Sequence, residues 1–244
     1  MSPVWTVFRR EWGSYLATPV AYVFTVIFLV LAAALTYYQG GFFERGQADL
    51  QPFFAFHPWL YLFIVPAVAM RLWAEERSNG TIELLLTLPL PTWQAVVGKF
   101  LAAWCYLGLA LALTFPMWIT VNYLGHPDNG VIVAGYVGSW LMAGAILAVG
   151  ACLSAATRSQ VIAFILTASL CFLLMLAGYP LVQEFARAWL PAGLTNAIAQ
   201  LSFLSHFDAL SRGLLDLRDV AFFVLSIMAW LVACTYVVDA RKAN

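Results

Sequence analysis

Apolar residues run in long unbroken stretches along this chain, and polar residues gather between them. A helix that crosses the hydrocarbon layer needs about 20 consecutive apolar residues. Six stretches meet that length, over 19–38, 53–73, 100–121, 131–151, 161–179 and 220–238. Pro66, Pro116, Gly144 and Gly150 interrupt several of them. A membrane bundle tolerates such breaks, because neighbouring helices satisfy the freed backbone groups. The pattern predicts an all-α polytopic membrane protein, with one transmembrane domain over 1–244.

The segment before the first stretch has a different period. At about 100° per residue, Val4, Trp5, Phe8, Trp12, Tyr15 and Leu16 share an arc of roughly 120°. Thr6, Arg9, Arg10, Gly13 and Ser14 lie off that arc. Two tryptophans on one face and two arginines off it predict a helix over 3–16 lying in the membrane interface, rather than a polar tail. No cleavable leader is expected, since a polar-interrupted start precedes a spanning stretch.

Two connectors, 74–99 and 180–219, exceed the ~12–15 residues that plain loops reach. In the second, Pro180, Pro191 and Gly193 break the chain. Leu194, Ile198, Leu201, Leu204, Phe207, Leu210 and Leu214 then recur at three- or four-residue spacing. Short external amphipathic helices are expected before the last span, dipping into the outer leaflet to cap a pathway or pack on the spans.

Charge sets the orientation. Six spans put both ends of the chain on one side. That side carries Arg9, Arg10, Arg71, Arg77, Lys99, Arg158, Arg241 and Lys242, eight of the twelve Lys and Arg. Arg45, Arg187, Arg212 and Arg218 lie opposite. Positive residues are retained in the cytoplasm. The expected location is therefore the bacterial inner (cytoplasmic) membrane, with both termini cytoplasmic.

Composition excludes several classes. Only 10% of residues are charged, against about 25% in a soluble domain. Net charge is zero, so nothing points to nucleic acid. Cys105, Cys152, Cys171 and Cys234 each sit inside an apolar run without metal-ligand spacing, and read as reduced packing residues. His57, His126 and His206 fall in separate external or boundary segments. A metal site needs three or four convergent ligands, and none is expected.

Gly98-Lys99 is followed by Phe100, where a phosphate-binding loop needs Ser or Thr. No nucleotide hydrolysis, catalytic residue or cofactor is expected in this chain. The spans are also nearly free of charge. Arg71 is the deepest candidate, near a span end from which it can snorkel. Ion-driven carriers keep ionisable groups inside the membrane, so the driving energy should come from another chain.

The 74–99 connector offers a lever. Glu75-Glu76-Arg77 forms a charged tip. Gly80 can end a helix in the left-handed conformation. Thr81 can cap the next helix, with Glu83 one residue short of a capping box. Ile82 and the leucines at 84–86 follow, and Pro89 and Pro91 close the unit. The segment is either a solvated hairpin or a docking knob for a cytoplasmic partner.

The run from Glu75 to Lys99 combines an acidic pair, Gly-Thr, Glu-Leu-Leu and Pro ahead of Gly-Lys. It resembles the signature of ABC-2 type transporter permeases, most closely the gliding-motility-associated subgroup. Arg9-Arg10-Glu11 fits that pattern. So do the stretch from Ser154 through Arg158 to Gln160, and His206-Phe207 with Arg212-Gly213 and Asp216.

The resemblance implies the permease subunit of an ATP-binding cassette exporter, not an enzyme. It implies a cytoplasmic ABC ATPase partner that binds ATP and Mg, and a second permease subunit, like or unlike. Membrane lipids are a further partner, and an auxiliary protein with a large external domain is compatible with it. Glu75, Glu76, Arg77, Gly80, Thr81 and Glu83 would form the element coupling to the ATPase. Arg9, Arg10, Glu11, Ser154, Arg158 and Gln160 would make secondary cytoplasmic contacts. His206, Phe207, Arg212 and Asp216 would form an external gate or cap. The substrate is open, and force transmission without transport fits equally. The competing readings are an ATP-independent channel or carrier, which needs a polar stripe in a span, and a membrane-embedded enzyme, which needs paired His, Asp or Glu near one face.

Overall fold

A computed structural model describes residues 3–78, 80, 91–189, 191–214 and 216–241. All regular elements among them are helical. Helix α1 (Pro3–Ala17) leads into α2 (Pro19–Ala34), with Pro19 at the first turn, where its missing N–H costs nothing. A π turn over Leu35–Gln39 extends α2 into an apolar segment, Pro19–Gln39. Helix α3 (Gln51–Ala69) passes through a tight turn into the short α4 (Ala74–Ser78).

Helix α5 (Thr92–Ala112) is separated from α6 (Phe115–Leu124) by a break at Leu113–Thr114. Pro116 has no N–H to bond the carbonyl four residues back, so the helix must restart. The Thr114 hydroxyl donates to the Leu111 carbonyl at 2.6 Å and covers part of the loss. Helix α7 (Asn129–Ala156) starts at the Asp128 cap, whose carboxylate accepts from the Gly130 and Val131 amides. Helix α8 (Gln160–Leu176) bends by 78° into α9 (Pro180–Trp189). Helices α10 (Ala192–Gln200), α11 (Phe203–Ser211) and α12 (Leu217–Ala240) complete the chain.

Five helical segments are long and apolar enough to cross a membrane, or six if the bent α8–α9 pair counts as one span. Helix α7 is the centre, packed on α12, α3, α11 and α8. Its middle, Ala145 to Val149, is fully buried. Helices α2, α8 and α12 instead turn Val23, Val30, Ile165, Leu173, Leu225 and Val232 outward, each more than half exposed. Water does not tolerate such continuous apolar faces, whereas lipid does.

Two tryptophans fasten α5 to α7 by mutual exchange. The Trp104 indole N–H donates to the Trp140 carbonyl (2.9 Å), and that of Trp140 to the Trp104 carbonyl (3.3 Å). Their rings stack 4.2 Å apart at 11°. Each ring lies over the glycine four residues along from the other tryptophan, Trp140 on Gly108 and Trp104 on Gly144. No side chain would fit at either glycine without displacing a ring.

Three sequence expectations need correction. The third span begins at Thr92 rather than Phe100, since Gln94 and Lys99 interrupt the apolar run without ending the helix. The long connector therefore closes by Pro91. Helix α1 has the expected extent; Val7 beside the apolar arc is its buried residue, Trp12 and Tyr15 of the arc pack against the core, and Trp5 and Leu16 stay exposed. The fifth span is shorter than 161–179, because the chain turns at Ala177 into α9. His57 is not at a boundary. It is fully buried in α3, with Nδ1 2.7 Å from the Ser139 hydroxyl and Phe53, Phe54 and Tyr61 around its ring.

Candidate coupling site

The end of the bundle that carries both chain termini holds a charge cluster built by three helices. Lys99 on α5 is 2% exposed. Its Nζ donates to Glu11 Oε1 on α1 at 3.0 Å and to Glu76 Oε1 on α4 at 2.8 Å. Arg10 Nη2 reaches the same two oxygens, at 2.6 and 3.2 Å. Two cations and two carboxylates thus balance. The Lys99 ammonium also sits 5.4 Å from the centroid of the Trp73 ring, within cation–π range.

Gly98 explains how α1 comes close enough. A side chain there would meet the Val7 side chain at 2.9 Å and the Val4 carbonyl at 3.0 Å. Helix α1 therefore crosses α5 at Gly98, which sets Glu11 beside Lys99 one residue on. The Gly-Lys pair supplies a crossing point and a cation, not a phosphate loop. Burial pushes the Glu11 carboxyl up, but Lys99 and Arg10 outweigh it and hold the group below the usual carboxylate range.

Ser154 on α7 fixes the turn between α3 and α4. Its Oγ accepts from the Trp73 and Ala74 amides (3.2 and 3.0 Å) and donates to the Met70 carbonyl (2.9 Å). One hydroxyl replaces the helix bonds lost at 70–73. Arg71 then clamps Glu75 through two contacts, at 2.7 and 3.2 Å. Helix α4 is thus held from α7, from α1 and from α5.

The remaining candidates lie outside the ionic knot. Gly80 has φ +70°, in the left-handed region. Thr81 and Glu83 lie outside the described residues. Arg77 is partly buried on α4, Arg158 is exposed in the α7–α8 turn, Gln160 opens α8 and Arg9 faces outward. At the opposite end, Phe207 and Arg212 of the expected gate line one cleft, while His206 and Asp216 make separate contacts. His206 pairs with Asp219 at 2.6 Å, and Arg212 with Asp208 at 2.7 Å. Phe207 is buried on α11, and Asp216 caps α12. Arg212 borders two open clefts of roughly 290 and 250 Å³. Among the described residues, no group of three or more His, Cys, Asp or Glu could hold a metal.

Sequence reasoning missed Lys99 as a buried residue, Asp219 as the partner of His206, and Ser154 as a turn anchor. The Gly-Lys dipeptide was the available signal for the first. The other two carried none, because each pairs with another element, Ser154 with a turn 81 residues earlier at Trp73 and Asp219 with the preceding helix.

A bundle with five or six helices long and apolar enough to cross a bilayer defines a polytopic membrane protein. The chain belongs to the ABC-2 family of transporter proteins, whose family model matches residues 5–241. It is also similar to heme exporter protein B of Paracoccus denitrificans, at 39% identity over 64 residues. That match spans 26% of this chain and 29% of the relative's length.

Proposed function

We propose that this chain is the permease subunit of an ATP-driven exporter, and that α4 and the segment after it transmit the stroke of a separate ATPase. The observation behind this reading is the Arg10–Glu11–Glu76–Lys99 cluster, which ties α4 to α1 and α5 so that a push on one moves all three. A hinge of free loops would dissipate such a push. The Glu75–Lys99 run supports the gliding-motility-associated subgroup, and the short likeness to a heme exporter subunit supports export as the direction. The excess of Lys and Arg at this end supports a cytoplasmic-membrane location with both termini inside. A second permease copy would cover part of the exposed apolar faces.

The test is assembly with a soluble ATPase encoded beside this chain. The purified chain alone should hydrolyse no ATP, and adding the ATPase should give a complex. Glu76→Lys should weaken or uncouple that complex, while external Glu44→Lys should not. Truncating one member of a desolvated charge pair costs about 2–5 kcal/mol. Robust hydrolysis by the isolated chain, or a Glu76→Lys complex indistinguishable from the parent, would refute the assignment.

A further inference from the structure

Most charges at the terminus-bearing end are answered. Arg10 and Lys99 meet Glu11 and Glu76, Arg71 meets Glu75, and Asp239 accepts from Thr92. Four arginines differ: Arg9, which faces outward from α1, and three others whose elements meet. Among the described residues, no carboxylate lies within ion-pair distance of Arg77, Arg158 or Arg241.

These three come from separate elements. Arg77 lies on α4, Arg158 in the α7–α8 turn, and Arg241 directly after α12. Helix α4 contacts α8, and α7 packs on both α8 and α12. Ser154 on α7 bonds the Trp73 and Ala74 amides, which sets the start of α4 about one turn from the α7–α8 turn that carries Arg158, and the charges of Arg158 and Arg241 both bear on Arg77. Arg77 Nε is buried and has no hydrogen-bond partner. A basic residue at a helix C-terminus is ordinarily explained by the helix dipole. That accounts for one arginine at each end. It does not account for three converging like charges, one with an unanswered donor.

We propose that Arg77, Arg158 and Arg241 form a seat for the phosphate of an anionic phospholipid. Guanidinium forks match phosphate oxygens in pairs. The ends of spanning helices lie at headgroup depth, where a lipid phosphate is already present at high density. Basic pockets between such helices commonly hold acidic headgroups. The seat joins α4, the α7–α8 turn and the end of α12, so an occupying lipid would brace α4. The proposal does not depend on the ATPase reading.

The experiment uses the full purified chain in nanodiscs of dioleoylphosphatidylcholine, with or without dioleoylphosphatidylglycerol. Native mass spectrometry reads the retained lipid, and thermal unfolding reads the stabilisation. The parent should retain phosphatidylglycerol in preference to phosphatidylcholine. The triple variant Arg77→Gln, Arg158→Gln, Arg241→Gln should lose that preference, with about fivefold lost per arginine. Arg187→Gln, on α9 at the other end, should keep it. If the triple variant fails to fold, Arg241→Gln alone, at an exposed helix end, must still lower the preference.

Three results would overturn the proposal. The variants could retain phosphatidylglycerol as the parent does. Inorganic phosphate could stabilise the parent in phosphatidylcholine discs as well as the lipid does, which would mark a site for a free anion. The variants could lose ATPase binding with unchanged lipid preference, which would place the arginines against an acidic protein surface.

Discussion

Replacing Lys99 by Met tests the ionic knot most directly, because the side chain keeps its length and loses only its charge and donors. Lys99 Nζ touches Glu11 Oε1 at 3.0 Å and Glu76 Oε1 at 2.8 Å, so the two carboxylate oxygens lie at most about 5–6 Å apart. Two like charges at ~5 Å repel by about 3 kcal/mol at an effective dielectric of ~20. Arg10 still bridges both oxygens, but its side chain is 54% exposed and solvent screens it. The expected destabilisation is therefore about 2–3 kcal/mol, at or just below the range for breaking a buried pair.

For a chain of this size that corresponds to a fall in Tm of roughly 4–12 °C. A thiol-reactive dye provides the readout, since Cys152, Cys171 and Cys234 are buried in the fold. Adding Glu76→Gln to Lys99→Met should recover part of the loss, because it removes one of the two repelling carboxylates. The double-mutant coupling should fall within about 0.5–3 kcal/mol. A Lys99→Met protein that melts with the parent, or strictly additive effects in the double mutant, would refute the view that this cluster holds α1, α4 and α5 together.

The pH dependence of the same cluster follows from Glu11. Its carboxyl is held below the usual range in the fold, so its contribution is complete above the ordinary value of about 4.3 and is lost as pH falls through the lower folded value. Melting curves of the parent and Glu11→Gln should thus differ at pH 6 and converge in acid below the ordinary value; a gap that persists at low pH contradicts this. Ser154→Ala leaves two buried amides unpaired at the α3–α4 turn and should cost about 1–3 kcal/mol, with faster hydrogen exchange at Trp73 and Ala74. Unchanged exchange there would show that the hydroxyl does not hold the turn. Gly98→Ala should lift α1 from α5 and cost about 1–3 kcal/mol through overpacking, seen as earlier proteolysis within α1; a variant as resistant as the parent would mean that the crossing has slack.

What the sequence revealed and what it hid divide along a physical line. Spanning helices are written in local hydropathy, so the segments around α2, α7 and α12 appear within a few residues. The start of α5 does not, because a lysine reads locally as an interruption. Only Glu11, 88 residues away in sequence, and Glu76, 23 away, make that lysine a buried residue. His57 is hidden for the same reason, since its partner Ser139 lies 82 residues on. Helix α1 showed its amphipathic character but not the burial of Val7, which Gly98 on another helix selects. Among the candidate residues, those that act through local geometry are the legible ones: Gly80 takes the left-handed conformation suited to a helix end. Those that act through pairing between helices, such as His206 with Asp219, needed the fold.

The Trp104–Trp140 exchange has an optical consequence. Two indoles stacked 4.2 Å apart couple their excited states, as no isolated tryptophan can. Among the described residues they form the one indole-on-indole stack, so their near-ultraviolet circular dichroism separates in principle from the signal of the other tryptophans. Any sliding of α5 along α7 would break both indole hydrogen bonds and the stack together. The protein therefore carries a native, label-free gauge of whether those two helices move during a transport cycle, readable on the unmodified chain in a cuvette.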